Sequence, residues 1–272
     1  LSKLAALKWF GGKQNFCQKI IDLMPTHKFY VEPYCGGLGV LLNKPHENIA
    51  EICNDKNSHV INFFRVLQND KLFVQFKRII DFCPFSEAEF NKAREYFKTH
   101  KQDQTPNIYS SCLFFLYNRL SMGGQMKDFS PLTMSRLRGG RQADVNAFLN
   151  CIDGLPEISQ RLRNVAFLCR DALSVINDYK NNEDALIYCD PPYLHETRTS
   201  KKVYEYEMSY AQHQELLDCF RGATCNIMLS GYRSNLYDKF FVNWNRVDIK
   251  VANSASHKKI KEIKTECIWK NF

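Results

Sequence analysis

Strand-like runs in this chain fall into two groups, with a helix-patterned stretch from about residue 57 to 164 between them. That order constrains the fold to one α/β sheet whose chain leaves for a helical insertion and then returns. In the first group, Lys13 to Met24 carries Phe16, Ile20, Ile21 and Leu23 at helical spacing and stops at Pro25. Phe29 to Glu32 reads as a short strand entering a glycine-rich turn, Leu38 to Leu42 as the start of a helix, and Ile49 to Cys53 as a second strand. Val60, Ile61, Phe64 and Leu67 then mark another helix. This β-turn-α-β opening is the first half of a nucleotide-binding, doubly wound sheet.

The middle stretch has a Ser86-x-x-Glu89 capping box and a strongly apolar segment from Ile108 to Leu120, with a hairpin after Leu120 as its one candidate strand feature. Strands return at Val165 to Cys169, Ala185 to Cys189, Asn226 to Ser230, Asn245 to Val251 and Cys267 to Trp269. Helices over Ala172 to Tyr179 and Ser209 to Arg221 separate them. The expected organisation is a sheet domain built from 1–58 and 164–272, interrupted by a helical domain over 59–163. A chain of 272 residues can bury cores for both without disulfides.

Eleven cysteines, an odd number with no Cys-x-x-Cys pair, predict buried thiols in a reducing compartment rather than a disulfide or zinc framework. The longest uncharged apolar stretch, Cys112 to Tyr117, is too short for a bilayer, and Leu1 to Lys8 lacks the apolar core and cleavage site of a signal peptide. An intracellular, cytoplasmic protein with no membrane segment is therefore expected. The net charge of +8 says less than its placement. Residues 57 to 164 hold 15 Lys/Arg against 10 Asp/Glu, and Lys258, Lys259, Lys261 and Lys264 cluster around Glu262. A basic middle and a basic late loop suit a polyanion such as nucleic acid.

Three turns carry the chemistry. Glu32-Pro33-Tyr34-Cys35-Gly36-Gly37-Leu38-Gly39 follows the first strand, and its glycines let the backbone approach a ligand and turn tightly. It departs from the Gly-x-Gly-x-x-Gly fingerprint, which argues against a nicotinamide oxidoreductase. Asn54-Asp55 ends the second strand about twenty residues further on, where an acidic side chain can accept both hydroxyls of a ribose. A helix cap is the plainer use of such an Asp. Asp190-Pro191-Pro192-Tyr193 stands at the carboxyl end of Ala185 to Cys189, the edge at which open α/β sheets bind ligands.

An adenine amino group is a weak nucleophile because its lone pair is delocalised into the ring. Acceptors on both of its hydrogens favour a more pyramidal, more reactive nitrogen. The Asp190 carboxylate offers one acceptor and the Pro191 carbonyl the other, on a loop stiffened by two prolines. Tyr193 can stack on the base. Inside a duplex that amine is out of the loop's reach, so the nucleotide has to be flipped into a pocket.

Four ordered blocks, Lys8-Trp9-Phe10-Gly11-Gly12-Lys13, Glu32-Pro33-Tyr34-Cys35-Gly36-Gly37, Asn54-Asp55 and Asp190-Pro191-Pro192-Tyr193, carry a family likeness. Through them nearly the whole chain resembles the DNA adenine methylase type of N6-adenine methyltransferase. The resemblance implies an α/β fold: a Rossmann-like class I methyltransferase sheet with helices on both faces and an inserted, mainly helical target-recognition domain. It also implies S-adenosyl-L-methionine as cofactor, S-adenosyl-L-homocysteine as product, no metal, and double-stranded DNA as partner. A monomer in solution, with a dimer on DNA left open, and a bacterial or phage origin complete the expectation.

By the same resemblance Trp9, Gly12 and Lys13 line the cofactor pocket, and Tyr34, Gly36, Gly37 and Gly39 cradle the methionine part. Asp55 holds the ribose, Arg170-Asp171 flanks the cofactor adenine, and Asp190 meets both cofactor and base. Tyr117-Asn118-Arg119 and Ser121-Met122-Gly123-Gly124 resemble a helix end and DNA-inserting turn, which puts Lys8, Asn118, Arg119, Ser121, Met122 and Gly123 at the DNA. Better-known members carry an aromatic and an Asn-Gly in that turn, so the recognised site, GATC or another, stays open. Arg136, Arg138 and Arg141 beside Gly139 and Gly140 form a basic loop for the DNA backbone, as do Lys258 and Lys259. Leu229-Ser230-Gly231-Tyr232 is expected to wall the base pocket.

An Asp at the first loop position favours adenine over the Ser of cytosine-N4 enzymes and the Asn of glutamine enzymes. Methylation of cytosine N4, of RNA or of a protein amide remains open at this point, as does a catalytically silent DNA-binding module.

Overall fold

Nine strands and nine α-helices are formed among the residues that the computed structural model describes, which are 3–100, 105–130, 137–138, 140–197, 206–252 and 263–272. In chain order they are α1 (Cys17–Ile21), β1 (Phe29–Glu32), β2 (Ala50–Asn54), α2 (Ser58–Gln68), α3 (Asp70–Asp81), α4 (Glu87–Thr99), α5 (Ile108–Leu120), β3 (Leu137–Arg138) and β4 (Arg141–Gln142). There follow α6 (Ala143–Leu162), β5 (Val165–Leu168), α7 (Ala172–Tyr179), β6 (Ala185–Cys189), α8 (Tyr210–Cys219), β7 (Asn226–Gly231), α9 (Asn235–Phe240), β8 (Asn245–Ala252) and β9 (Ile263–Lys270).

The seven runs expected as strands all form, and they join one sheet in the order β5-β2-β1-β6-β7-β9-β8. β2, β1, β6 and β7 run parallel, whereas β9 is antiparallel to both of its neighbours. Every residue of β6 is buried, which is why Ala-Leu-Ile-Tyr-Cys reads as a continuous apolar run rather than an alternating one. A parallel core with one reversed strand near an edge is the α/β arrangement expected of a class I methyltransferase sheet.

The chain divides into two compact units, one holding Leu1–Asn15, Gly36–Asn43 and Asn57–Cys169, the other Phe16–Cys35, Lys44–Lys56 and Arg170–Phe272. In the first, α2 packs against α3, α5 and α6. The buried rings of Phe63, Phe76, Phe115 and Phe148 meet there with centroids 5.9 to 6.1 Å apart. In the second, α7 packs on α8 and on β6, and Tyr30, Tyr188 and Trp269 are the largest fully buried side chains or close to it. Among the described residues no helix is long and apolar enough to cross a membrane.

Local expectations change in places. Lys13 to Met24 is a 3-10 turn, Lys13–Phe16, followed by the short α1, not one continuous helix. Leu38 to Leu42 does not start an α-helix: Leu38 sits at φ +56, a left-handed conformation no α-helix continues through, and only the 3-10 turn Leu41–Asn43 follows. Ser86 caps α4 by accepting from the Ala88 N–H. After Leu120 there is a single bridge, Ser121 to Phe129, around the 3-10 turn Met122–Gly124. The basic loop expected around Arg138 and Arg141 contains a minimal antiparallel hairpin, β3 with β4, turning through Gly140 at φ +75. Arg136, Lys258 and Lys259 lie outside the described residues, and Arg138 and Arg141 are described by their backbone alone.

Candidate active site

Parallel register brings the carboxyl ends of β1, β2, β6 and β7 to one edge of the sheet, so Glu32, Asn54, Cys189 and Gly231 all end their strands on that side. The residues that follow are the ones singled out by sequence. Asn54 is fully buried and works as a clip: its amide donates to the carbonyls of Pro33 and Arg170, both at 3.0 Å, and its oxygen accepts from the Arg170 N–H at 3.0 Å. Asp55, next along, is half-buried.

Asp171 is exposed and caps α7 by accepting from the Leu173 N–H at 2.9 Å, while Arg170 forms an ion pair with Asp178. Both side chains are therefore engaged with α7, and a helix cap accounts for Asp171 locally. Tyr34 is half-buried in the turn after β1. Glu32 is buried and accepts from the Tyr30 hydroxyl at 3.1 Å. Burial, with smaller contributions from the Asp190 and Glu51 carboxylates, pushes the Glu32 carboxyl up to about 8, against the Tyr30 hydrogen bond and Lys44.

The tetrapeptide leaves β6 at this edge. Asp190 is half-buried, and its Oδ1 accepts from the Tyr193 hydroxyl at 3.2 Å. Two successive prolines remove two backbone donors from the loop and fix φ at both positions. Tyr193 is buried, its ring standing edge-on to Tyr232 at a centroid distance of 4.9 Å, and the one proton of its hydroxyl is shared between Asp190 and the buried carboxylate of Glu266. Tyr232, expected at the base pocket, thus lies against the tetrapeptide. Tyr188, beneath it on β6, shares a hydrogen bond of 2.7 Å with Ser230 of β7. Glu266 was not singled out by the sequence reading. The signal was there, an acid inside the apolar strand run Glu266-Cys267-Ile268-Trp269, but an acid at a strand start is ordinarily solvated.

In the other unit the Trp9 indole lies over the glycine turn. A Cβ at Gly36, where φ is +44, would come within 2.4 Å of Trp9 Nε1, and one at Gly37 within 2.7 Å of Trp9 Cβ. Trp9, Gly12, Gly37 and Gly39 line a cavity of about 270 Å³. Lys8 and Gly123, both expected at DNA, line the same cavity. Lys13 is buried, and its Nζ donates to the Gly11 carbonyl at 2.9 Å; it is not among the residues lining this cavity.

In the turn after α5, Asn118, Arg119 and Ser121, all expected at DNA, are buried, because the end of α5 and the Lys8 backbone need hydrogen-bonding partners in a buried place. The Asn118 oxygen accepts from the Lys8 N–H and its amide donates to the Lys8 carbonyl, both at 2.8 Å. Arg119 donates to the Ala147 carbonyl at 2.9 Å, while its own carbonyl accepts from Lys8 Nζ at 2.9 Å. Ser121 donates to the Asn118 carbonyl and accepts from the Met126 N–H. Met122 and Gly123 are the exposed residues of the turn. Among the described residues no group of three or more His, Cys, Asp or Glu is placed to hold a metal ion.

The family model for D12 class N6 adenine-specific DNA methyltransferases matches residues 9–263. The chain belongs to this family. It is 30% identical over 224 residues to the DNA adenine methylase of Serratia marcescens, covering 78% of this chain and 76% of that protein. A DNA adenine methylase of Salmonella typhi is 24% identical over 276 residues, 95% of this chain and 93% of its own length. A DNA N-6-adenine-methyltransferase of Escherichia phage P1 is 26% identical over 68% of this chain and 23% of that protein. The chain is accordingly an adenine-specific DNA methyltransferase, and membership implies DNA as substrate and S-adenosylmethionine as methyl donor.

One property of the methyltransferase can be tested without substrate. Burial, and secondarily the Arg119 guanidinium, push the Lys8 ammonium down to about 8, with Asp144 and Cys151 pulling the other way. Between that value and the ordinary 10.5, the unfolded chain holds a proton that the folded chain has released. Stability therefore rises with pH across the window, and the penalty for burying the charge is complete below it. Lys8→Met is expected to remove this rise. Urea midpoints of both proteins between pH 7.5 and 10 check it, and parallel curves would reject the assignment.

Proposed function

We propose that the methyltransferase moves a methyl group from S-adenosylmethionine to N6 of an adenine flipped out of double-stranded DNA. Asp190 and the Pro191 carbonyl accept the two amine hydrogens. The observation that carries this reading is the setting of Asp190, half-buried at the carboxyl end of β6, with one oxygen held by the Tyr193 hydroxyl. A carboxylate oriented in advance polarises the amine without reorganising during the reaction. Asp190 acts as an acceptor, not as a nucleophile. Tyr193, pinned through its hydroxyl, offers a ring to the base together with Tyr232.

The residues present suit the cofactor chemically. A glycine turn too crowded for any Cβ lies under Trp9, and an acid, Asp55, follows β2. When bound, S-adenosylmethionine supplies an electrophilic methyl group on a positively charged sulfur. Trp9, Gly12, Gly36, Gly37 and Gly39 hold the methionine end together with Tyr34, and Asp55 accepts the ribose hydroxyls. Lys13 shapes the same segment from inside by bonding Gly11. Arg170 and Asp171 act near the cofactor adenine through the α7 start that they build.

On the DNA, Lys8, Met122 and Gly123 meet the duplex, supported from within by Asn118, Arg119 and Ser121. Arg136, Arg138, Arg141, Lys258 and Lys259 add phosphate contacts. In this reading residues 1–58 and 164–272 form the catalytic, cofactor-binding part and 59–163 the target-recognition part. The enzyme is a monomer in solution and acts in the cytoplasm, with a dimer on DNA left open.

The test is incubation of the protein with methyl-labelled S-adenosylmethionine and mixed-sequence duplex DNA, followed by digestion to nucleosides. Label in N6-methyldeoxyadenosine is expected, and sequencing sensitive to that base then gives the recognised site. Label confined to N4-methyldeoxycytidine, or absent from DNA while cofactor binds, would overturn the reading.

A further inference from the structure

Among the described side chains, the one at the reaction edge that no block of the sequence pointed to is a carboxylate on the strand reversed relative to its neighbours. β9 pairs with β7 through Gly231 and Cys267, so one step further along lie Tyr232, just after β7, and Glu266 on β9. Tyr193 projects between them: its ring packs edge-on to Tyr232, and the single proton of its hydroxyl is shared between the Glu266 and Asp190 carboxylates. Lys264, two residues before Glu266, stands 5.5 Å from the centre of the Tyr232 ring on this same wall. Glu266 is 3% exposed. A carboxylate taken that far out of water costs several kcal/mol unless hydrogen bonds compensate, so its position is informative.

We propose that Glu266 is a positioning residue for methyl transfer: it anchors the Tyr193 hydroxyl from β9 and so fixes the orientation of the Asp190 carboxylate. The inference rests on the reading of Asp190 as the amine acceptor. Without the anchor, the phenol loses its partner on β9, and the Asp190 oxygen faces a hydroxyl whose position is less defined. A misplacement of about 1 Å at such a group costs on the order of 10²-fold in rate. Substrate and cofactor contacts are untouched, so the loss falls on kcat.

The experiment compares Glu266→Ala, Glu266→Gln, Tyr193→Phe and the Tyr193→Phe/Glu266→Ala double variant in single-turnover methylation of duplex DNA, with Asp190→Ala alongside. S-adenosylhomocysteine binding and the melting midpoint serve as folding checks. Glu266→Ala is expected to lower the transfer rate about 10- to 100-fold while the cofactor KM stays within about twofold. Glu266→Gln, which keeps an acceptor oxygen of the same reach, is expected to recover most of the loss. In the Tyr193→Phe background, the Ala substitution is expected to add little, because the shared hydroxyl is already gone. A wild-type rate in folded Glu266→Ala, a Gln variant no better than Ala, or additive losses in the double variant would each overturn the proposal. Continued transfer by Asp190→Ala would instead bring down the catalytic reading itself, so the two failures are distinguishable.

Discussion

Asp190→Ala is expected to abolish methyl transfer, with a loss of at least about 10³-fold, while S-adenosylhomocysteine binding remains measurable. Removal of a single preorganised hydrogen-bonding group at a reacting centre commonly costs 10²- to 10³-fold, and Asp190 supplies an acceptor and a negative charge together. The amine becomes partly positive as the new bond forms, so both contributions grow toward the transition state. Binding should survive, because the glycine turn under Trp9 and the acid after β2 do not depend on the Asp190 side chain. Single-turnover rates with labelled cofactor and calorimetric titration of the product S-adenosylhomocysteine check the two halves separately. Turnover like the wild type would remove Asp190 from the mechanism.

Gly124→Ala is expected to destabilise the protein by about 3 kcal/mol, the range of a backbone clash combined with a disfavoured conformation. Gly124 lies at φ +71, and a Cβ built there meets the Lys8 carbonyl oxygen at 2.0 Å. That atom belongs to the backbone and is itself held by the Asn118 amide, so it cannot simply swing aside. The neighbouring glycine is the control. Gly123 has a similar φ of +60, but a Cβ there finds only the end of the Gln125 side chain, at 4.0 Å. Gly123→Ala should therefore cost only the conformational preference, about 1 kcal/mol. Denaturant midpoints of the two variants measure the difference, and equal losses would mean that the Lys8 backbone does not press on the turn. The pair also separates roles: Gly123→Ala alters the exposed side of the turn, the side proposed to meet DNA, while sparing its inner face.

Much of this molecule could be read from its residues. β1, β6, α5 and α7 have the bounds expected from Phe29 to Glu32, Ala185 to Cys189, Ile108 to Leu120 and Ala172 to Tyr179. Each is a run whose burial is set by its own pattern and whose ends carry turn or cap residues, such as Asn107 before α5 and Asp171 before α7. Leu38 to Leu42 misled because periodicity does not report a left-handed φ imposed by a crowded glycine turn. The inward hydrogen bonds of Asn118 and Arg119 were not legible for a related reason. Polar residues at the end of an apolar helix look like surface groups until the strand of chain around Lys8, more than a hundred residues away, is seen to use them as partners. At the candidate site, Asp190 and Asp55 were visible because a strand followed by an acid is a local pattern. Glu266 was not, because its meaning depends on β9 returning between two other strands.

That return has a consequence for how the enzyme is made. β8 leaves the ribosome before β9, yet it has no place in the sheet until β9 lies between it and β7. Eight consecutive residue pairs join β8 and β9, from Asn245 with Lys270 to Ala252 with Ile263, so the two are expected to zip together as a hairpin before docking on β7. Glu266 arrives with that hairpin. Nascent or partially unfolded chains can thus have β1, β2, β6 and the glycine turn in place while the Tyr193 hydroxyl still lacks its anchor.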